Sequence, residues 1–528
     1  MNESVMHEPA KQQSFSKQAL IKQSAQTRAT ELEQGFSLSE LARHLGSIEF
    51  ATGTPQDDIH IMGLCDDSRL ARPGYALMCL PRSRDQINAY AASAREKGAV
   101  AIISVGMDVE TDLPVLRLKN MQQAGQLLRR IFRTEGASSH YYGITGTDGK
   151  TSVAWMLRDA LVRLQHKPVW SCGTLGWMRD NNDIRDIGNT TPSMLTLHAM
   201  LASACLEDVH AVACEISSHG IAQERIAGLD FNTAIWTNMG HDHLQDHGGY
   251  AAYLATKTGF IQQTASHGGN VIANADHADV REHAPEQACW YGHGLFRDDV
   301  DLAWEQELPG LLRLKYRDAE VVIEDIPLGD FHAENVACVA LTLMVSMAVE
   351  LADLPDLLRN ISAPPGRMQE LDIGLGQVYI DYAHTPEALE RCLQAARKLT
   401  RQRLMVLFGC GGERDREKRP QMGEIAVNLA DVVWISSDNP RGEMPAVIAS
   451  EIELGMRQPY AATVHLQLDR ELAIAEAIAD LQDGDVLIIA GKGHEAYMEV
   501  GGLRLPWGDA SMAEKYLHRL HAGQAACG

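Results

Sequence analysis

Short apolar runs, each ending in a polar cluster and followed by a helical periodicity, organise most of the chain. In the middle, Ser139 to Ile144 reads as a buried strand and Ser152 to Leu164 as a helix, with further strands at Val209 to Cys214 and Thr233 to Thr237. In the last third, strands are expected at Val378 to Tyr382, Leu404 to Phe408, Val432 to Ser436 and Val486 to Ala490. Helices between them start near Pro386, Pro420, Pro445 and Asp469, where proline or aspartate suits a first turn. That alternation predicts an open, Rossmann-like parallel sheet. Nearer the N-terminus, Ser39 caps an expected helix from Glu40 to Leu45. Arg72-Pro-Gly74 leads into a strand from Tyr75 to Leu80. A helix around Ala89 to Lys97 ends at Gly98, before a strand from Ala99 to Ser104. Residues 1–34 are rich in Gln, Ser, Lys and Ala and read as a disordered tail, with a transient helix near Gln18 to Leu32. The expected fold class is α/β in three domains: a small N-terminal α/β substrate domain (35–135), a central parallel sheet (136–362) and a C-terminal Rossmann-like domain (363–528). Ala363-Pro-Pro-Gly366 is the linker between the last two.

At 528 residues the chain is too long for one ordinary core, which agrees with that division. Its formal charge of −23 and the lack of a basic stripe argue against a nucleic-acid surface. The 10 cysteines show no paired or zinc-type spacing, as for inert thiols in a reducing cytoplasm. No secretory signal is expected, and the apolar stretch from Val336 to Val349 is too short to span a bilayer, so it reads as a buried helix.

Chemistry concentrates at the strand ends. Tyr142-Gly-Ile-Thr-Gly-Thr-Asp-Gly-Lys-Thr151 places three glycines, a lysine and a hydroxyl between strand and helix. Such a turn lets backbone N–H groups and a helix N-terminus meet a polyphosphate, with the lysine reaching outer oxygens and the hydroxyl available to Mg2+. Ile144 stands where the general P-loop has its first glycine, so the match is to a variant, Gly-Thr-x-Gly-Lys-Thr. Glu215-Ile-Ser-Ser-His-Gly220 and Asn238-Met-Gly-His-Asp-His243 follow two further strands on what should be the same rim, which makes the central domain P-loop ATPase-like. The last domain offers Asp381-Tyr-Ala-His384, Gly409-Cys-Gly-Gly-Glu-Arg-Asp415, Asp438-Asn-Pro-Arg441 and Gly491-Lys-Gly-His-Glu495.

In this order the motifs resemble the Mur ligase family, and within it the branch that adds meso-2,6-diaminopimelate in peptidoglycan synthesis. The resemblance runs from about Asp67 to the C-terminus and is most specific from Gly143 onward. It implies an ATP- and Mg2+-dependent acid–amino-acid ligase. A carboxylate attacks the γ-phosphate, an acyl phosphate forms, and an amine displaces phosphate. It further implies that Gly146, Thr147, Gly149, Lys150 and Thr151 hold the triphosphate. Thr151, Glu215 and His243 would ligate Mg2+ with Asn238 nearby, and Lys257 would be carbamylated to the N6-carboxy form. Asn335, Arg367 and Asp381 would face ATP, with His384 across the cleft. Ser68, Asn189, Thr190, Thr191, Ser217 and Arg225 would meet the UDP-sugar dipeptide. Around the incoming diamino acid, Arg441 would clamp a carboxylate with Asp438, Asn439 and Gly491 assisting. Arg414 would bind the other carboxylate and Glu495 the distal ammonium.

Four departures from the family pattern stand out. Asp148 replaces an asparagine, Gln245 an aspartate and His332 an asparagine, and Cys79-Leu-Pro-Arg-Ser-Arg-Asp-Gln86 lacks the glycines of the segment that meets uridine diphosphate. In that segment Arg82 and Arg84 remain as candidate diphosphate contacts. A cell-wall ligase, a Mur-type ligase recruited to another pathway with a different carboxylate acceptor, and a regulatory nucleotide-binding protein are the three functions open to the sequence. Intact Lys150, Glu215, His243 and Lys257 speak for catalysis. Small-molecule substrates, a monomer, and no membrane or nucleic-acid partner are expected.

Overall fold

The computed structural model describes residues 21–22, 29–39, 49–50, 59–81, 83–136, 138–181, 183–240, 247–371 and 376–525. The expected helix from Glu40 to Leu45 lies outside them, as do Arg82, Asp242, His243 and Gln245. The chain divides into two compact units, one of Met1–His140, Ile187–Val212 and His219–Asp230, the other of the remainder.

The first unit is built on a seven-stranded sheet. Four parallel strands, His60–Cys65, Tyr75–Cys79, Ala101–Val105 and Val115–Leu118, form its middle, and antiparallel strands flank them. The inner strands are buried on both faces, as a parallel sheet covered by helices requires. Helix Arg84–Glu96 covers one face through Ile87, Ala91 and Ala94. Helix Met121–Ile131 covers the other through Ala124, Leu127 and Leu128. Two expectations are corrected here. Part of the expected tail is strand: Ala29–Ser37 pairs antiparallel with His60–Cys65, and Leu32, 5% exposed, anchors it in the core. The expected central region is also not contiguous in the fold. Helix Met194–Leu206 inserts Met194, Leu195 and Ala202 into the first unit's core, and Ala227 joins them.

The second unit carries two large sheets. The 11-stranded one runs in the order Ile184–Arg185, Gly176–Met178, Val169–Gly173, Ala211–Glu215, His140–Thr145, Thr233–Trp236, Asn270–Asn274, Cys289–His293, Leu302–Leu308, Leu311–Tyr316, Ala319–Ile323. Only its middle is parallel. Antiparallel hairpins close both ends, so the expected parallel sheet is a mixed one. Helix Asp330–Met347, which holds the apolar run from Val336, is buried along its middle, and no helix among the described residues is long and apolar enough to cross a membrane.

The six-stranded sheet has the order Gln369–Leu371, Gln377–Asp381, Val486–Ala490, Leu404–Phe408, Val432–Ile435, Thr463–Leu466, all parallel except the first. Helices Pro386–Leu399, Lys418–Leu429 and Pro445–Glu453 pack on one face, and Arg470–Ala479 and Asp509–Ala525 on the other, giving the Rossmann-like layering expected. The cysteines among the described residues are free, and burial pushes the Cys65, Cys79, Cys338 and Cys410 thiols up to about 12, so they behave as core side chains.

Candidate active site

The phosphate loop is shaped by what lies against it. Strands His140–Thr145 and Thr233–Trp236 run parallel with Thr145 opposite Trp236, so Gly146 emerges beside Thr237 and Asn238. A Cβ at residue 146 would lie 1.9 Å from Thr237 Oγ1, and one at residue 149 would lie 2.8 Å from Asn335 Oδ1; both glycines have positive φ, +151° and +81°. Only glycine fits either place. Asn238 Oδ1 accepts from the N–H groups of Thr147 (3.0 Å) and Asp148 (2.8 Å), while the Thr237 hydroxyl donates to Asp148 O at 2.6 Å. Those two loop amides are thus committed to Asn238, and the amides that open helix Lys150–Gln165 are the ones a helix start leaves able to meet an anion. Lys150 Nζ donates to the carbonyl oxygens of Gly146 (2.9 Å) and Thr147 (2.8 Å), holding its charge against the loop.

Below the loop, the Thr151 hydroxyl donates to Glu215 Oε2 at 2.8 Å. Glu215 also accepts from Thr174 N–H (2.8 Å) and the Thr174 hydroxyl (3.0 Å). Glu215 is 2% exposed, and a Cβ at residue 173 would sit 1.9 Å from its Oε1, so glycine there makes room for the carboxylate. Burial pushes the Glu215 carboxyl up, opposed by the Thr151 hydroxyl and the Lys150 charge. A buried carboxylate paired with a hydroxyl at a helix start suits a hard divalent cation that also binds phosphate oxygens, so the donor set fits Mg2+. Lys257, on helix Tyr250–Ser266 and 1% exposed, donates to Gly146 O at 2.5 Å and lies over the Tyr253 ring at 4.8 Å. Gly146, Thr147, Gly149, Lys150, Thr151, Glu215, Asn335 and Lys257 are therefore linked by contacts around one loop, and Asn238 is the loop's clamp. Tyr253 joins them: its hydroxyl lies 3.1 Å from Thr147 Oγ1.

A second group gathers near the linker. Asp381 ends its strand buried, accepting from the N–H groups of Met368 and Ala383 at 2.7 Å each. Burial raises its carboxyl, and the Arg367 charge opposes this. The Arg367 guanidinium stacks on Tyr382 at 4.6 Å, and the exposed His384 ring donates from Nδ1 to Tyr382 O at 2.9 Å. His332 is fully buried and its Nε2 lies 3.3 Å from Arg367 O.

The third group occupies the ends of the six-stranded sheet. Arg441 has φ +52° and is held by Glu499 Oε2 at Nε (3.2 Å) and by Gly412 O at Nη1 (2.8 Å). Arg414 is exposed, and Gly411 separates its stem from Arg441. Asn439 Nδ2 donates to Glu495 Oε2 at 2.7 Å, and a Cβ at residue 491 would lie 2.6 Å from the buried Asp438 Oδ2. Arg419, fully buried, bonds Glu443, Glu451 and Gly411 O and so fixes the glycine-rich turn.

In the first unit, Arg225 Nη1 donates to Thr191 O at 2.6 Å, which brings Asn189, Thr190, Thr191 and Arg225 near one another. Ser68, buried, starts a short 3₁₀ turn capped by Asp67. Ser217 belongs to the second unit. Arg84, the described candidate for a diphosphate contact, is exposed and paired with Glu110 at 2.6 Å. The sequence reading missed Thr174, Thr237 and Lys492. Thr237 is the last residue of the expected strand from Thr233, Thr174 follows a strand, Val169–Gly173, that the pattern did not announce, and Lys492 stood inside a quoted motif without a role.

Two family models match the chain: Mur ligase middle domain over residues 144–343, and Mur ligase, glutamate ligase domain over residues 366–493. The UDP-N-acetylmuramoyl-L-alanyl-D-glutamate--2,6-diaminopimelate ligase of Ectopseudomonas mendocina is 35% identical over 488 residues, 89% of this chain and 98% of that protein. The protein of the same name from Pseudomonas aeruginosa is 35% identical over 473 residues, 87% of this chain and 96% of its own. A solved structure bearing that ligase name superposes with a TM-score of 0.66 at 26% identity, covering 92% of this chain and 99% of that one. MurF ligase from Thermotoga maritima in complex with ADP shares the fold, with a TM-score of 0.58 at 18% identity over 87% of this chain and 98% of that one. With relatives this similar over nearly their whole length, the chain belongs to the Mur ligase family.

Proposed function

We propose that this protein is an ATP-dependent ligase that joins meso-2,6-diaminopimelate to the D-glutamyl carboxylate of UDP-N-acetylmuramoyl-L-alanyl-D-glutamate in peptidoglycan synthesis. The observation that carries this reading is the phosphate loop with Thr151 bonded to the buried Glu215 beneath it. On this reading the enzyme works in the cytoplasm, as a monomer, on small-molecule substrates.

The first helical turn after Gly149 binds the triphosphate through its amides, and Lys150 swings its ammonium from the loop carbonyls to the outer phosphate oxygens. Thr151 and Glu215, with His243, are the residues that would hold Mg2+, which when bound supplies charge neutralisation on the transferring phosphoryl group. Lys257, as its carbamate, contributes a second anion beside Gly146. The acceptor carboxylate, oriented by Ser68, Asn189, Thr190, Thr191, Ser217 and Arg225, attacks the γ-phosphate. ADP leaves and an acyl phosphate forms. Asn335, Arg367, Asp381 and His384 face the nucleotide side. Arg414, Asp438, Asn439, Arg441, Gly491 and Glu495 present the diamino acid, whose amine displaces phosphate to give the amide. The test is phosphate release by purified protein with ATP, acceptor and diaminopimelate. Release should need all three and vanish in Lys150→Ala with the fold retained. Unchanged turnover in that variant removes the loop from the mechanism.

A second reading, the same chemistry on another acceptor, is favoured by one observation. The segment from Cys79 to Gln86 lacks glycine, and Arg84 is engaged at the surface with Glu110. Comparing UDP-N-acetylmuramoyl dipeptide with UDP-free carboxylates as acceptors separates the two.

A further inference from the structure

Lys492 is 0% exposed, a rare state for an ammonium, which is costly to bury unless fully paired. Its Nζ donates to Glu495 Oε2 at 2.8 Å and to Asn439 Oδ1 at 3.0 Å, and it lies 5.6 Å from the Tyr497 ring centre. Asn439 is fixed from three directions. Its Oδ1 also accepts from Glu499 N–H at 2.9 Å, and its Nδ2 donates to Glu495 Oε2 at 2.7 Å. The side chain of Glu499 in turn holds Arg441. Lys492 thus sits at the junction of two arms, one ending in Glu495 and the other in Arg441. Both bonds to Glu495 end on Oε2, which turns the carboxylate about a fixed oxygen and leaves Oε1 as the oxygen it can offer a cation.

We infer that Lys492 is a positioning residue for amino-acid selection. It locks Glu495 and Asn439 so that one carboxylate oxygen and the Arg441 fork stand at a fixed separation, matched to a substrate carrying an ammonium and a carboxylate at its far end. The inference rests on the reading of Glu495 and Arg441 given above. A free Glu495 would still attract an ammonium but would not hold it in register with Arg441. Loss of Lys492 therefore costs discrimination as well as affinity.

The experiment compares wild type, Lys492→Met and Lys492→Arg in steady-state kinetics with diaminopimelate and with lysine, alongside KM for ATP. The expected result for Lys492→Met is a KM for diaminopimelate raised at least about tenfold, a diaminopimelate-to-lysine preference that shrinks, and an unchanged KM for ATP. Lys492→Arg should recover part of the loss. If Lys492→Met keeps the wild-type KM and preference, or if KM for ATP rises in step, the inference is wrong. A wild type that does not use diaminopimelate overturns instead the function it rests on. Should Lys492→Met not fold, Glu495→Gln is compared with the double variant Glu495→Gln/Lys492→Met, in which no carboxylate is left unpaired. Residues acting as a unit are non-additive, so the second substitution should add less than about twofold to KM. A further tenfold rise would show Lys492 acting independently of Glu495.

Discussion

The ammonium nitrogen of Lys257 donates to the carbonyl oxygen of Gly146, tying the middle of one helix to the first residue of the phosphate loop. A plain ammonium there stands beside the place where Lys150 already brings a positive charge to the same carbonyl. Conversion to a carbamate reverses the sign and adds two oxygens able to meet a cation.

Lys257→Ala is accordingly expected to abolish ligation, with partial recovery on adding short carboxylic acids that replace the missing anion. Full activity of the variant without additive would count against the modified lysine, and mass spectrometry of the native protein offers a second check.

Gly146→Ala is expected to reduce ATP turnover by at least about tenfold and to lower stability by about 1–3 kcal/mol, the usual range for overpacking. Its Cβ would meet Thr237 Oγ1 and, at 3.1 Å, the Asn238 backbone nitrogen. Gly259→Ala, on the helix of Lys257 with open space around it, should instead leave stability unchanged or raise it by about 0.5–1 kcal/mol. Thermal unfolding of both variants against wild type decides this.

Arg441→Ala should raise KM for diaminopimelate at least tenfold, since a hydrogen bond between charged groups contributes about 1.5–3 kcal/mol and each decade is about 1.4 kcal/mol. KM for ATP should barely move. Preference over lysine should fall without a gain in lysine turnover. Kinetics with both amino acids test it, and a variant with wild-type KM for diaminopimelate sinks the assignment.

The fully buried His332 gives a pH signature. Burial holds its imidazole down at about 4, against an ordinary value near 6.5, with the Arg367 charge adding to the shift. Between those values the unfolded chain binds the proton and the folded one does not, so stability rises with pH there. The contribution is complete above about 6.5 and is lost as pH falls toward 4, by up to about 1.4 kcal/mol per unit. His332→Asn should flatten that part of the curve. Denaturant midpoints at pH 7.5 and 5 give the measure, and equal pH dependence in both proteins would disprove it.

The elements that the sequence announced are those whose burial pattern is local. Leu404–Phe408 and Val486–Ala490 are continuous apolar runs closed by polar residues, and the structure returns them with the expected bounds. The phosphate loop was readable because positive φ and close contacts demand glycine at 146 and 149. What stayed hidden depends on distant partners. Helix Met194–Leu206 buries Thr196, His198 and Ser203 along with its apolar residues, so no stripe indicates which sheet it joins. Strand Ala29–Ser37 is polar in composition and exists through pairing with His60–Cys65. The role of Asn238 as a clamp on Thr147 and Asp148 needed coordinates, since its motif pointed equally to the metal.

The interrupted make-up of the first unit has a consequence for how the protein is made. Its core takes side chains from Met194, Leu195, Ala202 and Ala227, which leave the ribosome long after its own sheet strands. At ~5–20 residues per second the wait from residue 136 to residue 230 is on the order of 5–20 s. During that interval the nascent sheet lacks one of its covering helices, while His140–Thr145 and Val169–Gly173, strands of the 11-stranded sheet, emerge first. A fragment ending near residue 136 is therefore an incomplete unit, whose core cannot close until Ala227 has been made.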